Sequence, residues 1–206
     1  MEAPPPHPLS NIADKTDRWF QRASAALLGQ VPCGPGCHSC CIGPFPITLL
    51  DRQSLQYGLE LLPPTQQAEI TSRAQEQVAA MQQAFPLLAQ SPSLDQWADV
   101  DIDRLVEAFH QLPCPALGPD GLCQVYSHRP LACRSMGIPI DDAGLAQGAC
   151  AVQTSLPLIR LSSTLRAQEN DLARDEAVAL AQLQQQTQTE GEEFLLPFGF
   201  ISGPSG

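Results

Sequence analysis

Cys33-Gly-Pro-Gly-Cys37-His-Ser-Cys40-Cys41 is the stretch around which the rest of the chain has to be organised. Its four thiols follow C-x3-C, C-x2-C and C-C spacings. A thiolate is a soft anionic ligand, so four of them held this close favour a soft or borderline cation such as zinc, or an iron–sulfur cluster. Gly34 and Gly36 allow a tight turn and let backbone N–H groups approach the sulfurs. The bland alternative is a group of buried, inert thiols. Chance placement of 8 cysteines among 206 residues would rarely put four here.

Four more cysteines lie downstream. Three fall in Cys114-Pro-Ala-Leu-Gly-Pro-Asp-Gly-Leu-Cys123-Gln-Val-Tyr-Ser-His-Arg-Pro-Leu-Ala-Cys133-Arg, and Cys150 follows a looser segment holding Asp141, Asp142, Gly144 and Gly148. Gly118-Pro119-Asp120-Gly121 is a strong turn signal, and a short hairpin around it would bring Cys114 and Cys123 together. Ser127 is read as an N-cap and Pro130 as a first-turn residue of a short helix carrying Cys133. Eight thiols divide into two sets of four, the number that closes a zinc site or holds a [4Fe–4S] cluster. Adjacent residues point their side chains differently, so Cys40 and Cys41 are expected to serve different metals, or one to stand by. All eight, Cys33, Cys37, Cys40, Cys41, Cys114, Cys123, Cys133 and Cys150, are candidate ligands. Thiolates around such a cation leave net negative charge, and Arg129 and Arg134 are the nearest cations in sequence to offset it. His38 and His128 adjoin cysteines and are candidates to replace a thiolate; His7 and His110 are read as bystanders.

Composition bounds the partners. The formal charge is −11, from 22 acidic and 11 basic side chains. That disfavours nucleic acid or an anionic membrane as partner, since both are bound largely through Lys and Arg. No apolar run reaches the roughly 18 residues that span a bilayer. No basic segment followed by an apolar one opens the sequence, so a cytoplasmic setting is expected, where clustered cysteines read as metal-binding or catalytic. Apolar residues at 43% support a folded core, while Pro 20 and Gly 14 imply much irregular connection.

Residues 1–9 are proline-rich and expected to form a disordered tail. Residues 10–190 are read as one cysteine-cluster domain with its motif core at 33–150. An amphipathic helix is predicted from Ser10, as cap, to about Val31, with Asp14 and Asp17 early in it. Asp51 is read as the N-cap of a short helix through Leu62. Further helices are predicted from Pro63-Pro64 to about Gln83, from Asp99 to Leu112, and from Leu156 to Gln186. Asp99-x-Asp101-x-Asp103 begins like a calcium loop, but no glycine or distal glutamate follows at the needed offsets. Residues 191–206, containing Glu193-Phe-Leu-Leu-Pro-Phe-Gly-Phe-Ile, are apolar without helical period and are expected to dock as an extended tail, a lid being the alternative. The fold class is therefore mainly α: a small irregular helical domain with a short β-hairpin, organised around a cysteine metal cluster.

The C-x3-C-x2-C-C run, followed by Cys114-Pro115-x-Leu117, Gly121-x-Cys123-x-Val125-Tyr126, Arg129-Pro130 and Cys133-Arg134, resembles the YkgJ-type cysteine-cluster family over roughly residues 33–150. Val125 stands where that family commonly has isoleucine, a harmless change. The resemblance implies chelation of zinc or iron, and a flagellin lysine methylase is among the family's relatives.

Three functions fit these readings. One is a metal-binding protein whose ions, as zinc, iron or a [4Fe–4S] cluster, brace the fold or are passed on. Another is an iron–sulfur enzyme: Cys33-x3-Cys37-x2-Cys40 has the spacing of a three-cysteine radical cluster. Against it, the chain lacks the repeating strand–helix pattern of a (β/α) barrel and any glycine-rich cofactor fingerprint. The third is a redox sensor in which Cys37 and Cys40 oxidise and release metal.

Overall fold

Thr48 ends the first strand and starts the helix that follows, and much of the architecture depends on that junction. The protein is described by a computed structural model covering residues 9–26, 36–138, 140–142, 145–147, 161–187 and 191–201. Thr48 caps the helix Leu49–Glu60 (α2): its hydroxyl accepts from the Asp51 amide at 3.3 Å, while the Asp51 carboxylate accepts from the Thr48 amide at 3.3 Å. Two of the donors orphaned at a helix start are thus satisfied reciprocally. Asp51, expected as the N-cap, is the third helical residue. The β-branched Thr48 completes the strand Pro46–Thr48 (β1) in extended backbone, so the helix begins two residues before Asp51.

Helix α1 spans Ser10–Ala26, with Ser10 inside it rather than capping it; the expected continuation to Val31 lies outside the described residues. Pro63 and Pro64 start α3, Pro64–Ala84, because proline's fixed φ and missing N–H suit a first turn. The short α4 covers Leu87–Gln90, and α5 runs Asp99–Ala108, ending earlier than the expected Leu112. Three-residue 3-10 turns occupy Ser39–Cys41 and Tyr126–His128. The cysteine-bearing helix α6 is Leu131–Ser135, with Pro130 at its N-cap in place of Ser127. Strands β2 (Ile140–Asp142) and β3 (Leu145–Gln147) pair antiparallel, and α7 runs Ser163–Thr187.

The apolar stretch after Gly191 enters the core. Its strand β4, Glu193–Leu195, pairs antiparallel with β1, Pro46 opposite Leu195 and Thr48 opposite Glu193. A 3-10 segment, Leu196–Phe200, then turns its side chains inward. Phe194, Leu195, Leu196, Phe198 and Phe200 are all buried, in one cluster with Ile47, Leu50, Leu55, Ile70, Met81 and Leu105. At roughly 1.5–3 kcal/mol for each fully buried large apolar side chain, these residues are a main source of stability. Asp95 fastens the strand's entry, its carboxylate accepting from the Glu192 and Glu193 amides at 2.9 and 3.0 Å. Gly199 lets the 3-10 segment lie flat on α2, where a Cβ would stand 2.6 Å from Leu55 Cδ1. A smaller cluster joins Trp19 and Ala23 of α1 to Leu165 of α7 and Ile138, with Trp19 Nε1 donating to the Leu165 carbonyl at 3.1 Å. The chain is mainly helical with small antiparallel pairings, and among the described residues no helix is long and apolar enough to cross a membrane.

Candidate metal centre

The backbone at the end of the first cysteine group is joined to the start of the second. Gly43 N donates to Leu112 O at 2.7 Å and Cys114 N to Cys41 O at 2.7 Å, with Ile42 bridged to Pro113 between them. The Gly118–Gly121 turn then folds the second group back on itself. Gly118 N donates to Leu122 O at 2.8 Å, Gln124 N to Ala116 O at 2.9 Å, and Leu117 is bridged to Cys123. This is the expected hairpin, reduced to isolated bridges because Pro115 and Pro119 interrupt any ladder. Gly121 turns at φ +77, and His38 Nδ1 lies 3.2 Å from where a Cβ would be, so the first cysteine loop rests on this turn.

Five thiols come close enough as a result to feel one another's charge. A charge on Cys40 or Cys123 bears on Cys114, a charge on Cys40 bears on Cys123, and charges on Cys114, Cys40 and Cys123 all bear on Cys133. Cys41 feels Cys40, Cys114 and Cys133. Cys37 is exposed, and the predicted ligands Cys33 and Cys150 lie outside the described residues. The six described cysteines are free thiols.

Their acidities show what such a group requires. A hydrogen bond from the Cys41 thiol pulls Cys40 down to about 6, helped by the charge of Arg129, and pushes Cys41 far up. Burial pushes Cys114 up to about 12, and burial followed by the neighbouring thiols raises Cys133 well above the ordinary thiol range. Cys123 is raised by burial, with Arg129 pulling against it. These sulfurs cannot all ionise together unless a cation joins them, and a metal that demands thiolate is such a cation. The donor chemistry therefore fits zinc or iron. Among the described residues, no three His, Cys, Asp or Glu groups form a ligand set as the side chains lie.

The two arginines divide their work. Arg129 lies over the Tyr126 ring at 3.9 Å and acts on Cys40 and Cys123. Arg134 is a buried strut, 5% exposed: Nε donates to Arg129 O at 3.1 Å and Nη2 to Ser127 O at 2.6 Å. Both end on one carboxylate of α1, Asp17, at 2.8 Å from Arg129 and 2.5 Å from Arg134. Sequence reasoning placed Asp17 only as a helix-dipole residue; nothing in the spacing pointed to a partner so far along the chain. Asp51 was missed in the same way. Besides its part in the α2 cap, it accepts from the Leu131 amide at 2.9 Å, at the first turn of the helix that carries Cys133. His128 stacks edge-on to Tyr57, ring centroids 5.2 Å apart, and burial lowers its pKa.

Against known protein families, residues 32–151 match the CxxCxxCC model, described as a "putative zinc- or iron-chelating domain". No curated protein and no solved structure matches the chain.

Proposed function

Because the chain belongs to the CxxCxxCC family of zinc- or iron-chelating domains, we propose that it binds one such metal through Cys40, Cys114, Cys123 and Cys133, with Cys41 beside them as an alternate ligand. The observation that carries this reading is the meeting of thiols from two distant segments, fastened by the Cys114–Cys41 backbone hydrogen bond. Four thiolates around one cation complete a structural zinc site or anchor an iron–sulfur cluster. Cys37, exposed on the same loop, and the two cysteines outside the described residues are left for a second ion or for transfer. Free thiols of this kind suit a reducing compartment such as the cytoplasm.

Anaerobic purification followed by elemental analysis and an absorption spectrum tests the reading. Zinc in a colourless protein, or iron and sulfide in matching amounts with colour near 400 nm, supports it and distinguishes its two forms. A protein that takes up neither metal on reconstitution overturns it.

A further inference from the structure

The segment that delivers Cys133 is held by two carboxylates from other parts of the fold. Residues 127–134 take in most of the Tyr126–His128 turn, Pro130 and most of the five-residue helix Leu131–Ser135. Asp17 grips the segment from α1. Its two oxygens take Arg129 and Arg134 separately, and Arg134 in turn holds the carbonyls of Ser127 and Arg129. Asp51 grips it from α2 through the Leu131 amide, and Ser54 Oγ, one turn later on α2, donates to the His128 carbonyl at 3.3 Å. Asp51 is 2% exposed, so its hydrogen bonds are shielded from water. The two aspartates hold one stretch at different points: Asp17 at Arg129 and Arg134, Asp51 at the Leu131 amide between them.

We propose that Asp17 and Asp51 are positioning residues of the thiol centre, which set the place of residues 127–134 so that Cys133 can close with Cys40, Cys114 and Cys123 on one cation. The inference rests on the metal-binding reading. Groups that orient ligands in this way typically change metal affinity by about 10–100-fold when removed. Neither aspartate is among the proposed ligands. Each works through backbone and guanidinium groups, and a neutral isostere therefore keeps the shape while loosening the hold.

The test uses the full-length protein and its variants Asp17→Asn and Asp51→Asn, with Asp175→Asn as control. Asp175 pairs with Lys15 at 2.6 Å between α7 and α1, away from the segment. Zn²⁺ affinity is measured by chelator competition, and Co²⁺ is used as the spectroscopic probe, because its visible bands report tetrahedral thiolate coordination. In parallel, alkylation of Cys133 in metal-free protein is timed by mass spectrometry, and far-UV circular dichroism monitors helix content. The expected result is unchanged helix content, Zn²⁺ affinity about tenfold or more weaker, an altered Co²⁺ spectrum and faster Cys133 alkylation in the first two variants. The control should match the unmodified protein. Wild-type affinity, Co²⁺ bands and alkylation rate in both aspartate variants would overturn the inference, as would equal changes in Asp175→Asn. If the unmodified protein binds neither ion, the metal reading falls by itself. The alkylation rates then still decide whether the aspartates place Cys133.

Discussion

The amide of Cys114 donates to the carbonyl of Cys41 at 2.7 Å, so the last cysteine of the first group and the first of the second are backbone neighbours. Metal bound there joins segments that are otherwise held by a few hydrogen bonds. Removing it should therefore act on the whole fold. At a ligand concentration about 1,000 times the dissociation constant, binding adds about 4 kcal/mol. Stripping zinc with a chelator should lower the melting temperature by on the order of 10 °C. Cys123→Ser and Cys133→Ser should lose the metal and show that lowered temperature without chelator. Cys37→Ser, on an exposed thiol, should retain more of both. Calorimetry with parallel metal analysis checks this, and equal losses in all three variants would refute the ligand set.

Gly58 gives a packing test close to the centre. A Cβ at this position would stand 2.5 Å from His128 Cβ, a separation no real side chain adopts. Alanine is the better helix former by about 1 kcal/mol, yet Gly58→Ala should destabilise by roughly 1–3 kcal/mol, as overpacked sites do. Urea unfolding measures it. A more stable variant would mean that α2 and the 126–128 turn can part without cost.

Phe200 tests whether the apolar stretch after Gly191 belongs to the core. It is 1% exposed. Phe200→Ala should cost about 3–5 kcal/mol, against a change of under about 0.5 kcal/mol at an exposed position such as Val178. A mild effect at Phe200 would favour the alternative reading of this stretch as a lid.

Glu176 gives a pH test. Burial, then the Asp51 charge, raises its carboxyl from 4.5 to about 7, against the pull of a hydrogen bond from Thr48; Glu193 adds to the rise. A folded pKa above the unfolded one means that the folded state holds the proton more tightly. The stabilisation is complete below about 4.5 and is lost as pH rises through about 7. Glu176→Gln stays neutral throughout. It should therefore match the unmodified protein near pH 4.5 and exceed it at pH 8, by about 1–2 kcal/mol once partial exposure is allowed for. Equal stability differences at both pH values, measured by urea unfolding, would show that Glu176 is hydrated in the folded state.

The sequence was most legible where chemistry is local. Pro63-Pro64 marked the start of α3 because proline removes a donor the first turn does not need, and Gly118–Gly121 marked its turn for equally local reasons. The helical class followed from periodic apolar residues, and the cysteine spacing gave the family. The α2 cap was misplaced because Thr48 and Asp51 both suit a helix start, and only the pairing of β1 with β4 decides between them. Asp17 and Asp51 were not legible as neighbours of the thiol segment. Their partners are Arg129, Arg134 and the Leu131 amide, and one sequence carries no mark of contacts made across the fold. Docking of the stretch with Phe198 and Phe200 was expected, but in extended form; its 3-10 turn was hidden because such a segment has neither the alternation of a strand nor the stripe of a helix.

The Gly43–Leu112 and Cys114–Cys41 hydrogen bonds make a neck, and helices α2 to α5 form the excursion that leaves and returns through it. During folding the sulfurs on the two sides of that neck meet only after the excursion has doubled back. On the proposed ligand set, an ion arriving early would find only half of its ligands. Lengthening the excursion would cost little in closure entropy, about 0.6 kcal/mol per doubling, but would delay the moment of capture. The rate at which a cation is retained on that ligand set would thus depend on helices that carry none of its ligands.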